Sequence, residues 1–342
     1  MSMPASPPLS DRRTPRYISD SCLPALTAAS QAVIHAHKIV VVGHVNPDAD
    51  AIGSACALVR VLENMGKQAQ AVIGQRHLLD TELMHIPGAT EVALADRLPE
   101  HDLVIVVDCG ASSRTGTLQP EILAHPERVI LIDHHTSNLG FGGINLIDRD
   151  AESTTTVLYD WFRFLDIAID RDIAYALYSG LATDTGGFRW GRPKMHMLAQ
   201  ELVDTGIDIR RISRELFDGG TIADLKMIGS VLQNLTSYDI EQTRIVIAVA
   251  AYDIIAGHAQ APVEKIADMV RGLSDTDIVV VLKEYAPGDW TVSLRSHTID
   301  VSRIAKIFGG GGHLRSAGFS IFGTTENITS RVLHAIETAL DA

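Results

Sequence analysis

Four short apolar runs, at residues 39–42, 69–73, 103–107 and 129–132, alternate with helix-patterned stretches such as residues 51–65. Strands separated in this way by helices pair in parallel, with the helices covering the sheet, so the first half of the chain is predicted to be an α/β domain. Residues 153–235 then read mostly as helix, with an interdomain connection near 218–224. Further strands are expected at 245–250, 278–285, 290–296 and 317–322, interspersed with helices near 263–273, 301–308 and 328–340. They predict a second, smaller α/β domain. The expected layout is a disordered extension over 1–20, a first domain over 21–217, a connecting helix or linker over 218–235 and a second domain over 236–342.

Composition narrows the function classes. At 342 residues the chain can bury two cores, and its apolar runs fall far short of a bilayer span, which takes roughly 20 residues. No membrane segment is expected. Residues 1–20 carry prolines, serines and charges without a continuous apolar stretch, unlike a secretory signal, so a cytoplasmic location is the default. The three cysteines, Cys22, Cys56 and Cys109, have neither zinc-type spacing nor the number a disulfide framework needs. A formal charge of −13 opposes a broad basic track for long nucleic acid. It leaves room for a small anionic substrate held by a few local cations and metals.

The segment Gly43-His44-Val45-Asn46-Pro47-Asp48-Ala49-Asp50-Ala51-Ile52-Gly53-Ser54 directly follows the first apolar run. Carboxyl ends of strands in an open α/β sheet border its ligand crevice, so His44, Asp48 and Asp50 are expected at its floor. Taken alone, Asp48 and Asp50 are explained equally well as caps of the helix beginning near Ala51. Three further strand ends shift that balance: Val107 runs into Asp108, Ile132 into Asp133-His134-His135, and Ala182-Thr183 into Asp184. Carboxylates and imidazoles suit cations such as manganese, and a binuclear centre is the economical interpretation.

The stretch from His44 to Ser54, Asp108, Asp133-His134-His135 and Asp184 resembles the four motifs of the DHH phosphoesterases. Ser293-Leu294-Arg295-Ser296 and Phe308-Gly309-Gly310-Gly311-Gly312-His313 resemble the DHHA1 domain paired with that catalytic domain. Within the superfamily the likeness is to the bifunctional oligoribonuclease and phosphoadenosine phosphate (pAp) phosphatase group, which includes actinobacterial-type members implicated in cyclic dinucleotide breakdown. The resemblance implies a parallel-sheet DHH catalytic domain followed by a smaller α/β DHHA1 substrate-binding domain. It also implies two divalent metal ions, manganese by preference: His44, Asp48 and Asp108 would hold one, and Asp50, Asp108, His134 and Asp184 the other. Two cations bridged in this way, about 3.5 to 4 Å apart, activate water and stabilise a phosphoryl group in transfer. His135 would face the phosphate, with Asp133 orienting the histidines. Ala49 and Ser316 stand where many related sequences have glycine and alanine, and neither departure removes a ligand.

Other candidates keep two readings. Arg114 can contact phosphate or fix its own loop, and Ser153 is better read as an N-cap. The glycines at 309–312 exceed what a helix cap needs, so Gly310, Gly311 and Gly312 are expected to cradle phosphate, with Arg295, Ser296 and His313 on the nucleotide. The expected partners are short RNA oligonucleotides, pAp or linear or cyclic adenine dinucleotides, with a homodimer left open. Competing readings are a family II-like inorganic pyrophosphatase, a single-strand DNA exonuclease, which length and charge disfavour, and a noncatalytic nucleotide sensor.

Overall fold

A computed structural model describes residues 14–218 and 220–340. The chain divides into two units, Met1–Gly219 and Gly220–Ala342. In the first, β1 (Lys38–Gly43), β2 (Gln68–Ile73), β3 (Ala93–Leu94), β4 (Leu103–Val107), β5 (Val129–Asp133) and β6 (Ile144–Ile147) form one sheet in the order β3-β2-β1-β4-β5-β6. All its pairings are parallel. Alternate residues of each strand serve opposite faces. Ile39, Val41, Ile105, Val107, Ile130 and Ile132 join the larger core, and Val40, Val42, Val104, Val106, Val129 and Leu131 join a second one with Leu118 and Ile122. Burial on both faces explains why these strands read as unbroken apolar runs.

The larger core is covered by α1 (Leu23–His35), α2 (Ala49–Asn64), α4 (Thr154–Phe164), α5 (Arg171–Asp184), α6 (Lys194–Val203) and α7 (Ile209–Phe217), while α3 (Gln119–Ala124) brings Ile122 to the other. Trp161 and Phe162 on α4 are fully buried, each contributing on the order of 2 to 3 kcal/mol through apolar burial. The Trp161 indole N–H donates to Ser30 Oγ at 2.9 Å.

Two expectations fail in this unit. Asp184 does not end a strand: it is the last residue of α5, because residues 171–184 carry a helical apolar face, with Ile173, Ala174, Leu177 and Leu181 buried. Residues 14–20, assigned to a disordered extension, are packed, whereas residues 1–13 lie outside the described residues. The backbone N–H groups of Arg16, Tyr17 and Ile18 all donate to Asp160 Oδ2, at 2.7, 2.7 and 3.0 Å. Tyr17 is 2 % exposed. Composition misled here, since one buried tyrosine and one buried carboxylate suffice to anchor a polar segment.

The second unit holds a sheet in the order β11-β12-β10-β9-β8-β7, built from β7 (Thr236–Ile240), β8 (Thr243–Ala250), β9 (Ile278–Ala286), β10 (Asp289–Ser296), β11 (Gly311–His313) and β12 (Ser316–Phe322). Only β8 and β9 pair in parallel. On one face, α8 (Ile222–Gln233) and α10 (Gln260–Arg271) pack Val231, Val263 and Ile266 against Val246, Val279 and Val281, with the short α9 (Tyr252–Ile255) alongside. On the other, α11 (Val301–Ile307) and α12 (Thr325–Leu340) pack Ile304, Val332 and Ile336 against Ile247, Val280 and Leu294. The connecting helix or linker expected over 218–235 is largely the helix α8, an integral part of this core, seated by its buried Met227, Ile228 and Val231. Among the described residues no helix is long and apolar enough to cross a membrane.

Candidate metal centre

Strand order in the first sheet reverses between β1 and β4, and such a switch point opens a crevice at the strands' carboxyl ends. His44 follows β1, Asp108 follows β4, and His134 and His135 follow β5. Asp48 caps α2, its Oδ1 accepting from the backbone N–H groups of Asp50 and Ala51, both at 3.0 Å. Its other oxygen lies 3.7 Å from His44 Nε2. The capping and ligand readings of this residue are thus divided between the two oxygens of one carboxylate.

Asp108 occupies the centre. It is 1 % exposed and adopts φ 57°, a left-handed conformation that a non-glycine residue holds only against strain. Its Oδ2 lies 3.5 Å from His44 Nε2 and its Oδ1 3.6 Å from His134 Nε2. Thr154 donates its hydroxyl to Oδ1 at 2.9 Å.

Asp50 and Asp184 are brought in by two helices. A Cβ at position 53 of α2 would lie 2.4 Å from the Ala176 carbonyl of α5, so glycine permits the close crossing. A Cβ at position 180 would lie 2.3 Å from Asp50 Oδ1. The fully buried Asp50 carboxylate accepts from the Thr154 and Thr155 N–H groups, at 2.7 and 3.0 Å, at the positive start of α4. His134 Nε2 is 3.1 Å from Asp184 and 3.8 Å from Asp50. His135 Nδ1 is 2.8 Å from Asp133 Oδ1, and Asn138 donates to the other oxygen of Asp133.

Electrostatics show what this arrangement requires. Burial, together with Asp108 and Asp184, pushes Asp50 well above the usual carboxylate range. Burial also lifts Asp184 to about 6, against the pull of His134. For His44, burial and Arg114 oppose protonation, but Asp108 and Asp48 outweigh them and raise it to about 9. His134 is raised in the same way by Asp184, Asp50 and Asp108, against its burial. Although burial favours its neutral form, Asp133 is held far below its ordinary value by His135, His134 and Asn138. Positive charge is needed among these carboxylates, as protons or as cations.

The residues present fit divalent cations. His44, Asp48 and Asp108 form one compact donor group, and Asp50, His134 and Asp184 another. Asp108 Oδ2 is buried and accepts no hydrogen bond among the described residues. An oxygen and imidazole donor set without thiols suits manganese or a similar ion.

Other sequence candidates divide. Arg114 Nη2 lies 2.6 Å from His44 Nδ1 and 3.3 Å from the Val45 carbonyl, while its own carbonyl accepts from Val45 N–H, so it braces the His44 loop. Ser153 caps α4 as expected, accepting from Thr156 N–H. In the second unit, the Gly309 and Gly310 amides are taken up by the end of α11, and Gly311, Gly312 and His313 form the edge strand β11 rather than an open loop. Arg295 donates to the Leu294 carbonyl at 3.1 Å. Ser296 departs from its expected place beside Arg295, because successive strand residues face opposite sides of the sheet. Its hydroxyl accepts instead from the N–H groups of Thr298 and Ile299, at 3.2 and 2.9 Å.

Sequence reasoning missed Thr154, Thr155, Asn138 and the Glu152–Arg192 pair. Arg192 donates to both Glu152 oxygens and to the Tyr17 carbonyl, tying the N-terminal segment to the start of α4. The threonine run at 154–156 was a visible signal, since helix-start amides and hydroxyls readily hold carboxylates.

A parallel sheet with a carboxylate and imidazole centre at its switch point defines an α/β protein equipped to hold metal for hydrolytic chemistry. Residues 38–181 match the DHH family, N-terminal domain, and residues 244–341 match the DHHA1 domain. The chain belongs to the DHH/DHHA1 phosphoesterases, hydrolases that act on phosphate esters. It is 27% identical over 307 residues to the bifunctional oligoribonuclease and PAP phosphatase NrnA of Thermus thermophilus, covering 88% of this chain and 90% of that one. A probable bifunctional oligoribonuclease and PAP phosphatase NrnA of Streptococcus mutans is 25% identical over 300 residues, covering 84% and 91%. The crystal structure of an exopolyphosphatase-related protein from Bacteroides fragilis superposes with a TM-score of 0.79 at 26% identity, over 94% of this chain and 97% of that one.

Proposed function

We propose that this protein is a manganese-dependent phosphodiesterase that hydrolyses short oligoribonucleotides to nucleoside 5′-monophosphates, acts on pAp, and accepts linear or cyclic adenine dinucleotides. The observation that carries the reading is the central position of Asp108, whose two oxygens face His44 on one side and His134 on the other. His44, Asp48 and Asp108 would hold one cation, and Asp50, Asp108, His134 and Asp184 the second. When bound, the two ions supply water activation and neutralisation of charge on the phosphoryl group.

The chain's own groups do the rest. Thr154 and the amides at the start of α4 fix the directions of Asp108 and Asp50. Asp133 fixes His135 through Nδ1, so that the other ring nitrogen serves the phosphate or protonates the departing oxygen. The DHHA1 unit would recognise the remainder of the nucleotide through Arg295, His313 and the backbone of Gly311 and Gly312. Curated relatives named for oligoribonuclease and PAP phosphatase activity support this substrate class.

The test is a manganese-dependent assay with pAp, an RNA length ladder, cyclic di-AMP, pApA and pyrophosphate. Turnover falling with RNA length, beside turnover of pAp, is the expected result. Turnover of pyrophosphate alone, or preference for long RNA, would overturn the reading.

A further inference from the structure

Two short segments hold Asp50, His134, Asp184 and the central Asp108 in place. Residues 151–155 reach three of these side chains. The Ala151 carbonyl accepts from His134 Nδ1 at 3.3 Å, the N–H groups of Thr154 and Thr155 donate to Asp50, and the Thr154 hydroxyl donates to Asp108. Residues 184–192 govern the fourth. The Asp184 carbonyl accepts from the Trp190 indole N–H at 2.8 Å, and the Thr185 carbonyl accepts from the N–H groups of Arg189 and Trp190 at 2.9 and 3.3 Å. These bonds fold the loop back on the end of α5. A Cβ at position 186 would lie 2.1 Å from the Trp190 ring, so glycine, at φ 57°, lets the indole sit there.

The joint between the two segments is the pair Glu152 and Arg192. The Glu152 side chain is 3 % exposed. Its Oε1 accepts from the Arg192 backbone N–H at 2.9 Å and from Nε at 2.8 Å, and its Oε2 accepts from Nη2 at 3.0 Å. Nη2 also donates to the Tyr17 carbonyl at 2.9 Å. A planar guanidinium that grips a carboxylate by two bonds fixes orientation as well as distance. The loop is pressed against this joint: a Cβ on Gly191, at φ 125°, would lie 3.0 Å from Glu152 Cγ and 2.6 Å from Met195 Sδ. An ion pair with a buried carboxylate is weak evidence of stability, because desolvation offsets much of the attraction. Its place, immediately before the Ser153 cap and in the loop that leaves Asp184, gives it another task. His44 and Asp48 hang on different supports, Arg114 and the α2 cap.

We propose that Glu152 and Arg192 are positioning residues for the metal centre. Their pairing sets the spacing between the start of α4 and the end of α5. Through that spacing it sets the affinity for the cation assigned to Asp50, Asp108, His134 and Asp184, and it spares the cation assigned to His44, Asp48 and Asp108. The inference rests on the two-cation reading above.

The test is calorimetric titration of manganese into the metal-free full chain, with kinetics on pAp across manganese concentrations. Wild type should take up two ions. Glu152→Gln, which keeps the shape and removes the charge, and Arg192→Met should each weaken one site about 10- to 100-fold, the range for groups that support metal ligands. The other site should be unchanged. The manganese concentration for half-maximal turnover should rise by the same factor, and saturating manganese should restore kcat, with KM for pAp unchanged. Arg192→Lys, which keeps the charge without the two-bond grip, should fall between wild type and Arg192→Met. A merely structural pair would lower the urea midpoint of the metal-free protein without shifting the manganese dependence. Two wild-type affinities in folded Glu152→Gln and Arg192→Met, equal weakening of both sites, or a kcat that stays low at saturating manganese would each overturn the inference. If circular dichroism shows Arg192→Met unfolded, Glu152→Gln and Arg192→Lys decide, and unfolding of all three would overturn the inference in favour of a structural pair. Uptake of fewer than two ions by wild type would instead defeat the two-cation reading.

Discussion

The hydroxyl of Thr154 donates to Asp108 Oδ1 at 2.9 Å, while Asp108 Oδ2 is buried and accepts no hydrogen bond among the described residues. One residue at a helix start thereby orients the carboxylate on which both donor groups converge. Thr154→Val, nearly isosteric, removes the donor but leaves the helix amides that hold Asp50. Manganese affinity or turnover should fall about 10- to 100-fold, and Thr154→Ser should restore most of it. Metal titration with matched kinetics checks this. Wild-type affinity and turnover in the valine variant would show that Asp108 needs no such brace.

Asp108→Asn should cost at least about 100-fold in turnover of every true substrate, because the carboxylate charge that lies between His44 and His134 is lost. Manganese content should fall with it in a folded protein. His135→Ala should keep its manganese and lose about 10²- to 10⁴-fold in turnover, the range for a proton-transfer group. Equal metal loss in the two variants would place His135 among the ligands.

Gly180→Ala tests the close crossing of α2 and α5. The new methyl would lie 2.3 Å from Asp50 Oδ1 and 2.7 Å from Thr155. Either the helices separate or the carboxylate turns, at about 1 to 3 kcal/mol. Urea unfolding and manganese binding should both weaken, and a variant with wild-type values in both would contradict this packing.

The second unit should carry an acid-sensitive cap at the start of α8. His258 Nδ1 lies 2.6 Å from Asp224 Oδ1, and Thr221 donates its backbone N–H and hydroxyl to Oδ2. His258 first, then Thr221, lower the Asp224 carboxyl to about 2. A depressed carboxyl stabilises the fold above its unfolded value, near 4, and that contribution fades as pH falls through the folded value. Asp224→Asn should therefore cost about 1 kcal/mol at neutral pH, with the gap to wild type closing between about pH 4 and 2. Urea midpoints across that range decide the matter: a gap that persists at pH 2 would trace the loss to something other than the charge.

The sequence by itself determined the two α/β units, the parallel sheet of the first, and the strand ends that carry His44, Asp108 and His134. Those features follow from period and burial, which are local properties of the chain. Residues 14–20 were misjudged because their anchor, Asp160, lies far away in sequence, and 218–235, expected as a connecting helix or linker, is largely a helix whose apolar face belongs to the second core. Asp184 was found by type but placed on the wrong element, since a short apolar stretch before a carboxylate looks alike in a strand and at the end of a helix. Tertiary structure alone decided how the centre is held: Thr154 on Asp108, the α4 amides on Asp50, and the bare Cα of Gly180 against Asp50. It also turned Ser296 away from Arg295 and joined Arg192 to the Glu152 carboxylate. Such choices depend on crossing and register between segments distant in sequence, and no local pattern records which side chain another segment will meet.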